Sequence, residues 1–203
     1  MVRETAFDEV FDSQATFRVL LDSLSRPGTI RILPLRPYES APAGFCPPAL
    51  SILKTMCDHR VSFSVGSSGL RPDWVSYLSM NLATPFRHVD VADYVLFEGE
   101  RFDADFTRLN RGTPEFPEFS ATALLCVGRL SEEGDPGRAG YALRLSGPGV
   151  KDAAILSVTG LDPRYLEERS KANMFYPMGI DLLLVDKDGR VAGIPRTSSA
   201  EPA

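Results

Sequence analysis

The chain has 203 residues, a formal net charge of −5, 43% hydrophobic residues and 24% charged residues. That length supports one substantial core, and the composition is ordinary for a soluble globular protein. The acidic balance argues against nucleic-acid binding, which needs a basic stripe to neutralise phosphates, and no apolar run is long enough to cross a bilayer.

Glu4, Asp8 and Asp12 interrupt any charged-then-apolar leader pattern, so a cytoplasmic location is expected. Asp12 or Ser13 is placed to cap a helix running to about Ser25, with Phe17, Leu20, Leu21 and Leu24 as its buried face. Arg26-Pro27-Gly28 stops that helix, because Pro cannot continue the hydrogen-bond ladder and Gly opens a turn. Thr29 to Leu35 reads as a strand, and residues 36–48 as a proline-rich loop. Pro47-Pro48 begins a second helix that continues from Ala49 to Cys57.

Val61 to Val65 alternates with period two, as a half-buried strand does, and Gly66-Ser67-Ser68-Gly69 is a loop. Pro72 opens a helix to about Leu82 with Trp74, Val75 and Leu78 facing inward. Tyr94 to Phe97 is a short strand, Asp103 to Leu109 a short helix, and Arg111 to Glu118 a stiff polar loop. Ala121 to Val127 is apolar throughout and reads as a central strand.

Glu132 to Gly140 reads as a mobile surface loop, and Tyr141 to Leu145 as a strand ended by Ser146-Gly147-Pro148-Gly149. Ala153 to Val158 is ambiguous. Asp162 to Ala172 is a helix with basic residues near its end, matching the helix dipole. Leu182 to Val185 is a strand buried on both faces. Asp186-Lys187-Asp188-Gly189 is a hairpin turn, and Val191 to Pro195 returns antiparallel. The tail from Ser198 is small and polar and is expected to be disordered. Strands alternate with helices and then hairpins follow. That order predicts an α/β fold, a single layered domain over residues 1–197 with a mixed sheet flanked by helices.

The β-hairpin carries Asp181 at its entry and Arg196 at its exit, so both charges reach one end of a sheet. Chemistry, a partner contact and a plain structural ion pair all fit that arrangement. Arg26 and Arg196 each adjoin a Pro that stiffens the backbone, which suits a guanidinium held for a carboxylate or phosphate. Gly28 sits in the turn beside Arg26, and Gly147-Pro148-Gly149 offers backbone N–H groups to an anion, without the ending of a P-loop or the spacing of a dinucleotide fingerprint. Glu115 and Glu118 flank Pro117 and form a candidate acid/base pair, although loop carboxylates are usually only solvated.

His59 and His88 stand in no recognisable nucleophile setting, so no catalytic residue is assigned. Cys57-Asp58-His59 are sequence neighbours whose side chains point apart, so no metal site is expected. Cys46, Cys57 and Cys126 read as buried thiols, not a disulfide framework. The 18 Arg against 4 Lys favour planar, interface-tolerant cations, a bias that a GC-rich genome also produces.

Four segments belong together: residues 12–18 with Arg26-Pro27-Gly28; Gly112-Thr113-Pro114; Leu145 to Val150 with Gly160-Leu161; and Pro177 to Asp181 with Pro195-Arg196-Thr197. In order and spacing they resemble the PhnH family, a subunit of the bacterial carbon–phosphorus lyase system. The resemblance covers nearly the whole chain, and its C-terminal pair of motifs is the most specific part. It implies an accessory subunit of a cytoplasmic core assembly with the G, I and J subunits. That assembly's synthase step couples a phosphonate to ribose triphosphate and displaces adenine from ATP, while a separate radical iron–sulfur subunit later breaks the carbon–phosphorus bond. The resemblance further implies a homodimer and a fold similar to that of pyridoxal-phosphate-dependent transferases, with no cofactor held. The four Lys lack recognisable pyridoxal motifs, and there is no Cys cluster for an iron–sulfur centre. The alternative reading is a stand-alone anion- or nucleotide-binding protein, or an enzyme acting on phosphonate or ribose phosphate compounds, through Arg26, Gly147, Gly149, Asp181 and Arg196.

Overall fold

In the computed structural model, residues 3, 5–66, 71–132 and 140–203 are described. Helix α1 (Phe11–Ser25) leads to strand β1 (Arg31–Ile32) and helix α2 (Pro47–Met56). Strand β2 (Phe63–Val65), helix α3 (Pro72–Asn81) and strand β3 (Tyr94–Glu98) follow. Then come β4 (Thr122–Cys126), β5 (Arg129–Glu132), β6 (Tyr141–Ser146) and β7 (Ala154–Thr159). Helix α4 (Arg164–Ala172), β8 (Asp181–Val185), β9 (Arg190–Ile194) and β10 (Ser199–Pro202) complete the chain.

A six-stranded mixed sheet has the order β1-β9-β8-β4-β3-β2, with β2, β3, β4 and β8 parallel and β9 and β1 antiparallel at one side. Its central strands are apolar on both faces because both faces are covered. Leu96, Leu124, Leu183 and Val191 point into one core with α2, α3 and Leu20 of α1. Val95, Phe97, Leu125, Leu184 and Ile194 point into a second core on the other face. That second core is closed by α4 and by an antiparallel sheet of order β10-β6-β7-β5. The layers are therefore helices, mixed sheet, antiparallel sheet. Among the described residues, no helix is long and apolar enough to cross a membrane.

Asp186 ties the two sheets together. It is 1% exposed and accepts from Leu130 N–H at 3.0 Å, from Asp188 N–H at 3.0 Å and from Arg190 N–H at 2.9 Å. One side chain thus closes the β8–β9 turn and anchors the start of β5. The hydroxyl of buried Tyr165 donates to Arg101 O at 2.8 Å and fixes α4 to the loop after β3.

Several sequence expectations need correction. The strand expected from Thr29 to Leu35 shrinks to two residues, because Pro34 has no N–H to extend the ladder past the Leu33 N–H···O=C Gly189 bond. The ambiguous segment at 153–158 is strand β7, and β5 had no expectation at all. The tail from Ser198 is not disordered: β10 pairs with β6 from Ser199↔Ser146 to Pro202↔Leu143. Helix α1 is capped by Asp8, whose Oδ1 accepts from Val10 and Phe11 N–H at 2.9 and 2.8 Å. Most of the loop expected at 132–140, and residues 67–69 of the loop expected at 66–69, lie outside the described residues.

Helix α1 also differs in orientation. Leu20 is buried and Leu24 half-buried, but Phe17 is 49% and Leu21 59% exposed. The buried positions include Asp12, Thr16 and Ser23 instead. Arg36 donates to both Asp12 carboxylate oxygens, from Nε at 2.6 Å and from Nη2, which gives the buried charge a partner and lets the polar face turn inward.

Candidate functional site

Asp181 opens β8 and Arg196 follows β9, so antiparallel pairing sets them side by side. Arg196 donates from Nη2 to Asp181 Oδ2 at 2.7 Å and from Nε to Oδ1 at 3.3 Å, and its backbone N–H donates to Oδ1 at 2.7 Å. Its remaining arm, Nη1, donates to Pro117 O at 2.5 Å. The side chains are 17% and 21% exposed, so the pair is sheltered and the guanidinium fork is spent on internal acceptors.

The neighbouring loops are fixed to the same point. Gly179 N–H donates to Arg111 O at 3.0 Å. Asn173, just beyond α4, accepts from Ile180 N–H at 2.8 Å and donates to Ile180 O at 3.2 Å. Arg169 of α4 is 4% exposed and donates from Nη2 to Pro195 O at 2.7 Å and Ser198 O at 3.0 Å. Burial pushes its guanidinium down to about 10, against the pull of the Asp181 charge. Arg169 Nε and Ser198 Oγ, both buried, have no hydrogen-bond partner. Asp181 thus lies in the field of two guanidinium groups, one bonded and one buried nearby.

The other sequence candidates join this region through packing. A Cβ placed on Gly147 would lie 3.0 Å from Ser198 Cα, and one on Gly149 would lie 2.4 Å from Ser25 O. A Cβ on Gly28 would lie 2.4 Å from Ala154 Cβ. These glycines are contact points between the α1 exit, the β6–β7 turn and the segment after β9. Parts of the four motif segments meet in one seam, with Gly149 against Pro27, Gly147 against Thr197 and Gly179 bonded to Arg111 beside Gly112, whereas Asp12 bonds Arg36 and Gly160 packs on Gly128. Arg26 stands apart from Arg196: it is 63% exposed and pairs with Asp22 at 3.0 Å. Glu115 and Glu118 are exposed on the loop whose Pro117 carbonyl meets Arg196.

Sequence reasoning missed Arg169 and Asn173. The basic residues near the end of α4 suit the helix dipole, which gives no sign that one of them is buried. Sequence reasoning also missed the apolar rim. Phe116 and Phe119 stack at 5.5 Å and are 52% and 62% exposed. Met174, Phe175 and Tyr176 are 68%, 60% and 72% exposed on the adjoining loop. Large apolar side chains held on pinned loops are what partner surfaces present.

Two concavities mark the surface, one of them bordered by Met174 of the rim. One of about 410 Å³ is lined by Ser13, Lys54, Cys57, Asp58, His59 and Asn81, among others. Burial, with Asp93 and Asp58 adding to it, pushes the Cys57 thiol up to about 12, so it is no nucleophile near neutral pH. The other, of about 460 Å³, runs between α4 and β10. Among the described residues, no group of three His, Cys, Asp or Glu side chains is placed to hold a metal ion.

Residues 5–201 match the family described as bacterial phosphonate metabolism protein (PhnH). The chain is 34% identical over 91% of its length to the putative C-P lyase subunit protein HtxG of Stutzerimonas stutzeri, covering 84% of that protein. It is 30% identical over 96% of its length to the alpha-D-ribose 1-methylphosphonate 5-triphosphate synthase subunit PhnH of Rhizobium meliloti (strain 1021), covering 92% of that protein.

Proposed function

Because the chain belongs to the PhnH family, matched from residue 5 to residue 201, we propose that it is an accessory subunit of an alpha-D-ribose 1-methylphosphonate 5-triphosphate synthase assembly in phosphonate catabolism. One observation carries this reading: the likeness to two proteins named as subunits runs through the whole chain, not through a detachable piece. The candidate site supports the same view. Arg196 is neutralised by Asp181 and braced by Pro117 O, so the seam serves as a clamp more readily than as an empty anion cradle. The exposed Phe116, Phe119 and Met174–Tyr176 give the chain surface to share.

In this reading the subunit works in the cytoplasm, pairs with a second copy, and assembles with the G, I and J subunits of the carbon–phosphorus lyase core. It contributes shape, and holds no cofactor of its own. Co-expression with those three subunits and size-exclusion chromatography tests it directly: one co-eluting species is expected, and separate elution would overturn it. Calorimetry on the isolated chain with ATP, ribose phosphates and alkylphosphonates is expected to give no heat of binding. Micromolar binding lost in Arg196→Ala would establish the stand-alone anion-binding reading instead.

A further inference from the structure

Helix α1 buries several polar groups and exposes an apolar stripe. Its polar residues Asp12, Thr16 and Ser23 are buried, and Thr16 Oγ1 has no hydrogen-bond partner. Leu20 faces the core, with Val19 and Leu24 half-buried against it, but other large apolar residues do not: Phe11 is 74%, Phe17 49% and Leu21 59% exposed, and Val10, just before the helix, is 70% exposed. Val10, Gln14, Phe17 and Leu21 fall at i, i+4, i+7 and i+11, which is one stripe on a helix, about 17 Å long at 1.5 Å per residue.

Buried polar groups and exposed aromatics on one helix are costly for a lone chain in water. The arrangement is economical only when the outer stripe is covered. We propose that the outer face of α1 is the docking surface for an amphipathic helix from another subunit of the same assembly.

The proposal rests on the subunit reading above, since the two relatives are named as subunits. The stripe fits a helix, because residues repeating at i, i+4 and i+7 present one straight ridge that packs into a helical groove. Charge flanks the stripe without entering it. Arg18 is exposed next to Phe17 and Glu9 at the start of the stripe, while Arg26 is already paired with Asp22. The docking helix should therefore carry a carboxylate opposite Arg18.

The test uses the full chain co-expressed with the G, I and J subunits. Phe17→Ser/Leu21→Ser replaces two exposed side chains, so an unchanged melting temperature is expected to show that the variant folds. Capture of the other subunits by the double variant is expected to weaken roughly 100-fold, as loss of two anchor residues does. Undiminished capture overturns the proposal and leaves the subunit reading intact. Loss of self-association alone gives the stripe to a second copy, and also overturns it. Should the unmodified chain itself fail to capture any of the three, the subunit reading falls, and this assignment with it.

Discussion

Asp181 receives three donors from Arg196: the backbone N–H, Nε and Nη2. The two sides of this contact do not depend on each other equally. Without Arg196's side chain, Asp181 keeps the backbone N–H of residue 196. Without Asp181, Arg196 keeps only Pro117 O, and buried Arg169 also loses the nearby carboxylate. Asp181→Ala is therefore expected to cost about 3 kcal/mol and Arg196→Ala about 1–2 kcal/mol. Urea unfolding of the two variants checks the order. Equal losses, or a larger loss at Arg196, would contradict the account.

Gly149 has φ +82°, and a Cβ there would press within 2.4 Å of the Ser25 carbonyl oxygen. Strain and overlap add at this position, and the neighbour is backbone that closes α1, so it has little room to yield. Gly149→Ala is expected to lose about 3 kcal/mol or more and to lower the yield of folded protein. Gly28, at φ +86°, is strained as Ala too, but its one overlap is with the Ala154 methyl, so Gly28→Ala with Ala154→Gly should recover part of its loss. Thermal melts of the single and paired variants would reveal that coupling, and strict additivity would argue against the contact.

The Arg36 hydrogen bonds hold the Asp12 carboxyl below the usual carboxylate range, with burial opposing them. A folded-state pKa below the unfolded value means that stability is present above the unfolded value, about pH 4, and is lost as pH falls through the folded one. Acid should therefore loosen α1 first, since Asp12 also accepts from Asp8 N–H at 2.9 Å. Asp12→Asn is expected to be less stable at pH 7 and to show a flatter decline as pH falls below about 4. Circular dichroism melts across that range decide it, and parallel slopes in the two proteins would remove Asp12 from the explanation.

The sequence discloses the parallel strands and the β8–β9 hairpin well, because strands buried on both faces leave unbroken apolar runs such as Leu182 to Val185. It also discloses that Asp181 and Arg196 share a sheet end, since hairpin register alone requires it. Helix α1 misleads because Phe17 and Leu21 have the spacing of a core face, and periodicity cannot distinguish one's own core from another's. Strand β10 misleads because Ser199, Glu201 and Pro202 are polar or turn-forming, and only pairing with β6 gives them order. Arg169 is hidden for a third reason: its acceptors are backbone carbonyls beyond β9, and no residue type marks them in advance.

Strand β10 gives the sharpest contrast between sequence and structure. It covers the edge of β6, where Leu143 and Leu145 are fully buried, and Ala200 packs on the same core. Ala203 N–H adds a bond to Ala142 O at 2.9 Å. Ending the chain after Ser198 keeps the carbonyl that Arg169 binds and removes only the strand. A disordered tail could be cut with no effect. A paired edge strand should take with it several ladder bonds and part of the cover over β6, about 2 kcal/mol in total. For a chain of this size that corresponds to a fall in melting temperature of roughly 4–8 °C. Hydrogen exchange should also show β6 amides that are protected in the full chain becoming exposed in the truncated one. An unchanged melting temperature with unchanged β6 protection would mean that β10 contributes nothing to the fold.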